Sequence, residues 1–89
     1  MNEKQLNDLR QEMSCVYYDC MYEIRNAENV EQVYKAYFMF EGAMTALRCV
    51  NMEFYDKLDN IYRIYSKEIL RKIKKHFGEN CIDSILMMK

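Results

Sequence analysis

The sequence predicts an all-α fold, a small helical bundle of three main helices and a short C-terminal helix, in one domain that covers residues 1–89. Pro is absent and Gly occurs only at Gly42 and Gly78, so the residues that most often interrupt helices are nearly missing. Apolar residues recur at spacings of three and four, and no long stretch alternates apolar with polar residues as a surface strand does. A hydrophobic content of 51% is high enough for such a chain to fold around a core.

The first helix is predicted from about Glu3 to Asn26. Its apolar positions form one stripe: Leu6, Leu9, Met13, Val16, Tyr17, Cys20, Met21 and Ile24. Polar residues interrupt that stripe from Asn26 onward. Asn29, followed three residues later by Gln32, has the spacing of a helix N-cap and its returning side chain. A second helix should therefore start at Val30.

The segment from Val30 to Phe77 has two interpretations. Its apolar positions keep a spacing of four and three throughout, which fits one helix of about 48 residues and about 70 Å. The alternative is a break near Asn51, a polar member of the stripe that can end a helix in a left-handed conformation or sit buried as a register-fixing residue. We favour the break, because so long a helix would lack a partner in its own chain along most of its length.

The third helix should end before Gly78. Lys72, Lys74, Lys75 and His76 precede this glycine, so cations face the negative end of the helix and Gly78 is placed to cap it. The tail from Asn80 to Met88 carries enough apolar residues for a short final helix.

No cofactor or metal is expected. Cys15 and Cys20 are five residues apart on one helix, so their side chains point about 140° apart and do not share one ion. A site built from Cys15, Cys49, Cys81 and His76 would lack the clustered spacing of zinc ligands, and lysines surround the histidine. The four thiols are expected to be reduced.

The sequence also favours a cytoplasmic location and a non-enzymatic role. The longest apolar run, Ala36 to Phe40, is far shorter than the roughly 20 residues of a membrane span, and no signal-peptide pattern opens the sequence. A single histidine and two distant glycines provide neither a recognisable nucleophile with its base nor a phosphate-binding loop.

Nucleic-acid binding is the alternative function. Acidic residues predominate in residues 1–45 and basic residues in 46–89, although the formal net charge is only −1. The candidate contacts to phosphates are basic residues near the end of the third helix: Lys67, Arg71, Lys72, Lys74 and Lys75. Tyr55, Tyr62 and Tyr65 lie upstream as candidate stacking residues. The simpler interpretation is a solvated helix face that complements the helix dipole.

The segment from Tyr34 to Leu47 predicts an interface. Its apolar residues occupy all sides of the helix, and Lys35 and Glu41 are its only charges. A helix that is apolar all round must be covered all round, either as the central helix of a monomer or by a second molecule. We favour a homodimer or another protein partner, with these interface residues: Tyr34, Tyr37, Phe38, Met39, Gly42, Ala43 and Ala46.

These features together predict a small protein-interaction module, a regulatory or inhibitory accessory protein. The chain is rich in Asn, Ile, Lys and Tyr, whose codons are AT-rich, which favours a low-GC bacterium or its phage as the source.

Overall fold

The computed structural model describes residues 2–88 and confirms the all-α prediction. Its four helices are α1 (Asn2–Arg25), α2 (Val30–Val50), α3 (Tyr55–Phe77) and α4 (Glu79–Met88), with one 3₁₀ turn at Met52–Phe54 and no strand among these residues. The bundle measures 43 × 23 × 17 Å. The longest dimension, 43 Å, is much shorter than the about 70 Å of a continuous helix over residues 30–77, so the predicted break is confirmed.

Helices α1, α2 and α3 run up, down and up around one core. Apolar residues at spacings of three and four on each helix meet there, and α4 adds two more. The fully buried side chains are Met13, Ile24, Val33, Tyr37, Phe40, Met44, Leu58, Ile69, Ile73 and Ile85. Each helix thus presents one apolar stripe to the core, as the spacing predicts.

The connection between α1 and α2 is the predicted cap, with one difference. The Asn29 side chain accepts a hydrogen bond from the backbone N–H of Gln32 at 3.0 Å. The Gln32 side chain reaches back to the backbone N–H of Glu28 at 2.7 Å, one residue before the cap. The backbone N–H groups of Glu28 and Gln32 both have side-chain acceptors, and α2 begins at Val30 as expected.

The break after α2 depends on the Asn51 side chain. Its Nδ2 donates to the Leu47 carbonyl at 2.8 Å, and its backbone N–H donates to the same oxygen at 3.3 Å. Its φ of −116° lies outside the left-handed region, so Asn51 does not end α2 as a left-handed residue. Because α2 ends at this point, Asn51 is not a register-fixing residue inside a continuous helix either. The 3₁₀ turn that follows buries Phe54 and redirects the chain into α3.

Gly78 ends α3 as predicted. Its φ is 87° and its ψ is 171°, and its N–H donates to the Lys74 carbonyl at 3.0 Å. Helix α4 then packs on α3, burying Cys81 and Ile85. An ion pair between Lys74 and Glu79 at 3.0 Å spans the turn.

The two glycines should respond oppositely to alanine. We expect Gly78→Ala to lower the free energy of unfolding by about 1–2 kcal/mol, because its backbone conformation is one that only glycine adopts without strain. Gly42→Ala should raise it by about 0.5–1 kcal/mol, since Gly42 lies inside α2 and a Cβ there meets nothing within 4 Å. Urea unfolding of both variants in a monomeric background measures these changes, and a shift of the same sign in the two would contradict the assignment.

None of the helices within residues 2–88 combines the length and the hydropathy needed to span a membrane.

Candidate interaction surfaces

The structure divides the interface residues predicted on α2 into three groups. Tyr37 is completely buried, its hydroxyl 3.3 Å from Ser66 Oγ on α3, so its assignment to an interface is wrong. Tyr34 and Phe38 are half-buried against the core of the same chain. Met39, Gly42 and Ala46 are exposed, and Ala43 is half-buried. The bundle itself covers more of α2 than the sequence analysis expects.

The three exposed interface residues form one line along α2 together with the exposed Lys35. We call this line the outer strip: Lys35, Met39, Gly42 and Ala46. Their spacing of four, three and four places them on one side of the helix. Met39 is 66% exposed, and Val50 continues the strip with 81% exposure. Lys35 is its only charge, and Gly42 and Ala46 are small enough to let a second helix approach closely.

A groove runs between α1 and α2 on the side of the bundle away from α3. Its volume is ≈ 710 Å³. The α2 wall is apolar along Ala36, Met39, Phe40 and Ala43 and carries Gln32 and Lys35 toward the start of the helix. The α1 wall contributes Val16, Cys20 and Tyr22 and, on its rim, Asp19 and Glu23. The groove therefore has an apolar floor, an acidic edge on α1 and one cation, Lys35, among the residues that line it.

The acidic edge continues along α1 as an acidic stripe. Asp8, Glu12, Asp19 and Glu23 are all exposed and lie within about 60° of one another around the helix axis. Arg10 and Arg25 of α1 lie on its other sides, whereas Lys4 lies one turn before Asp8 on the same side. The four ion pairs among the described side chains (residues 3–87) all involve residues 48–79. None of these ion pairs involves a carboxylate of the stripe.

Cys20 lies at the bottom of the groove and holds α1 close to α2. Its thiol donates to the Ala36 carbonyl at 3.5 Å. Burial, with smaller effects from Glu23 and Glu41, raises the pKa of Cys20 to about 12. The thiol therefore stays protonated at neutral pH and is a poor nucleophile.

The predicted basic residues are grouped on the side of α3 that points away from the core. Lys67, Arg71, Lys74 and Lys75 occupy an arc of about 100°, which we call the basic face. Arg71 pairs with Glu68 at 2.8 Å and Lys74 with Glu79. Lys72 lies beyond the edge of this face and is half-buried. An exposed isoleucine, Ile64, lies on the basic face with 62% exposure.

The three tyrosines considered for base stacking contact other side chains of the bundle, and Tyr55 alone among them is exposed. Tyr65 stacks on Tyr17 of α1 with ring centroids 4.3 Å apart, and its hydroxyl lies 3.2 Å from Ser14 Oγ. The Tyr62 hydroxyl donates to the Glu41 carboxylate at 2.7 Å. Tyr55 lies 5.9 Å from the Arg48 guanidinium. The structure does not bring these rings to the basic face.

Arg48 is the centre of a polar contact between α2 and α3. It donates to Asp59 Oδ1 at 2.6 Å and to the Met44 carbonyl at 3.2 Å. Its guanidinium lies 4.0 Å from the centre of the Tyr62 ring. Arg63 binds the other oxygen of Asp59 at 2.8 Å. Arg48 and both oxygens of Asp59 already have partners within the bundle, so we interpret this network as a structural contact between α2 and α3.

The four cysteines differ in their exposure. Cys15 and Cys49 are exposed and Cys20 and Cys81 are buried, all four unpaired. Within the described residues, no three His, Cys, Asp or Glu side chains are grouped as metal ligands would be.

Sequence analysis overlooked the acidic stripe. The pattern that reveals it is the spacing of four, seven and four from Asp8 to Glu23, which puts all four carboxylates on one side of a helix. The groove beside them needs the packing of α1 against α2, and the sequence does not specify that packing.

Comparison with known proteins yields no match: no protein-family model, no curated protein and no solved structure matches this chain.

Proposed function

We propose that this chain is a small non-enzymatic protein-interaction module, a regulatory or inhibitory accessory protein that forms a homodimer and binds another protein. One observation carries the proposal. The outer strip and the groove beside it make a continuous surface that is apolar over most of α2, on a bundle whose other exposed faces carry many charges. The unpaired thiols support the cytoplasm as its setting.

The homodimer is assigned to the outer strip. Two copies of α2 that cross near Gly42 bring small residues against each other, and Lys35 is the only charge to be accommodated. Tyr37 and Phe38 need no partner, because their own chain covers them wholly or in part. A two-fold dimer uses the same strip on both copies.

We expect light scattering at micromolar concentration to give about twice the 10.9 kDa chain mass. Ala46→Glu should convert the protein to monomer, because it places a charge in the contact between two copies. Asn60→Glu adds the same charge to an exposed position on α3 and should leave the dimer intact. A monomeric parent protein, or equal effects of the two variants, would contradict the dimer.

Site-specific photo-cross-linking in the source cells tests the function as a whole. A benzophenone amino acid at Met39, where the outer strip meets the groove, should give an adduct of twice the chain mass and an adduct with one other protein. The same group at Asn60 is the matched control. The partner, identified by mass spectrometry, should bind the purified chain. Absence of adducts, or identical adducts from Asn60, would count against the proposal.

A nucleic-acid regulator is the second candidate, and the basic face is the observation that favours it. Four cations on one side of α3 provide phosphate contacts without an aromatic platform. Duplex binding through them should weaken with salt at a log–log slope of about −0.9 per phosphate contacted. Submicromolar affinity at 150 mM salt that is lost in Lys67→Glu with Lys75→Glu would put this function first.

A further inference from the structure

The groove between α1 and α2 differs from the outer strip because the charges that line it are mainly acidic, Asp19, Glu23 and Glu28 against Lys35. Its floor is apolar, and its α1 edge carries Asp19 and Glu23 of the acidic stripe, whose carboxylates form no ion pair among the described side chains. We propose that this groove binds an amphipathic α-helix of the partner protein whose apolar side faces α2 and whose cationic flank lies along α1. This inference rests on the proposed function and specifies the chemistry of its partner.

The geometry of the acidic stripe favours a helix as the occupant. The four carboxylates from Asp8 to Glu23 extend over about 22 Å along α1. Their spacing of four, seven and four is that of one side of a helix, so a helix laid beside α1 meets them with cations at the same intervals. Helix-in-groove recognition uses anchors at these spacings on an apolar floor.

The partner's cations should improve both affinity and speed of association. Lysines or arginines next to the acidic stripe gain favourable contacts that an acidic helix lacks, and long-range attraction raises the association rate. Such exposed pairs contribute little individually and are screened by salt, so binding should depend on several of them and weaken as salt rises.

A second copy of this chain does not supply such a helix. The basic face of α3 has the cations, but Ile64 is the one exposed large apolar side chain on it. Helix α4 exposes Leu86 and Met87, but its described residues include acidic side chains and no cation. Neither of these two faces combines an apolar stripe with a cationic flank, so the proposed occupant is a different protein.

Two synthetic peptides of the same length test the proposal with the full chain. Both carry Leu and Ala on one side of the helix; one has Lys on the flank, and the other has Glu at each of those positions. We expect the lysine peptide to bind at least about tenfold more tightly by calorimetry, which corresponds to about 1.4 kcal/mol. In NMR titrations, the amide shifts should be concentrated at groove residues such as Tyr22, Met39 and Ala43.

Charge-reversal variants link the preference to the acidic edge. Asp19→Lys with Glu23→Lys should weaken binding of the lysine peptide about tenfold and remove the preference between the peptides. The matched control is Glu53→Lys with Asp83→Lys, which changes the net charge equally at exposed positions outside the groove and should alter affinity less than twofold. All four positions are exposed, and circular dichroism confirms that the variants are folded.

Equal affinity for the two peptides, shifts outside the groove, or equal losses in the two double variants would overturn the cationic-helix proposal. If Met39 still gives cross-linked adducts after such a result, the proposed interaction module stands and only this class of partner is rejected. Loss of those adducts as well would reject the proposed function itself.

Discussion

We expect Phe40→Ala to lower the free energy of unfolding by about 3–5 kcal/mol, a large part of the stability of a domain of this size. Phe40 is 1% exposed and lies between the rings of Tyr37 and Tyr62, with centroids 6.1 and 5.9 Å away. The substitution removes the apolar contact and leaves a cavity that helices fixed on both sides refill only in part. Urea unfolding at neutral pH measures the loss.

The preceding residue is the matched control for this prediction. Met39 is 66% exposed on the outer side of α2, and Met39→Ala should change the free energy of unfolding by less than about 0.5 kcal/mol in the monomer. Because self-association would add stability, both variants are compared in the Ala46→Glu background. Similar losses at Met39 and Phe40 would show that α2 is oriented differently about its axis.

The second large effect is expected at the contact between α2 and α3. Asp59→Asn should lower the free energy of unfolding by about 2–3 kcal/mol, because it leaves the largely buried Arg48 without its carboxylate. Asp8→Asn on exposed α1 is the control and should cost less than about 0.5 kcal/mol. A loss at Asp59 no larger than this would mean that the ion pair contributes no net stability.

The effect at Asp59 should depend on pH in a defined direction. The hydrogen bond from Arg63, together with that from Arg48, lowers the pKa of Asp59 below its ordinary value, although burial opposes them. A carboxyl with a lowered pKa in the folded state stabilises the fold fully above its unfolded pKa of about 3.9. That stabilisation is lost as the pH falls through the folded pKa. The difference between the parent and Asp59→Asn should therefore shrink on acidification, and a constant difference would contradict this cause.

Local chemistry made the helices predictable. The apolar spacing fixed which side of each helix is buried, and the side chain of Asn29 and the missing Cβ of Gly78 act within a few residues of their own positions. The break at Asn51 was predicted from chain length and confirmed, but its mechanism was not. A side chain that bonds back to Leu47 and a left-handed residue both end a helix, and the sequence does not separate them.

The candidate site was predicted less well, because exposure depends on neighbours that are distant in sequence. Tyr37 and Met39 are two residues apart in an apolar run, and the sequence placed both in an interface. The packing of α3 against α2 buries Tyr37 beside Ser66 and leaves Met39 outside. The sequence by itself determined four helices, their buried stripes and the uneven distribution of charge. Tertiary structure alone decided which apolar residues remain uncovered and that the acidic stripe borders a groove, because both depend on the angle at which one helix packs on another.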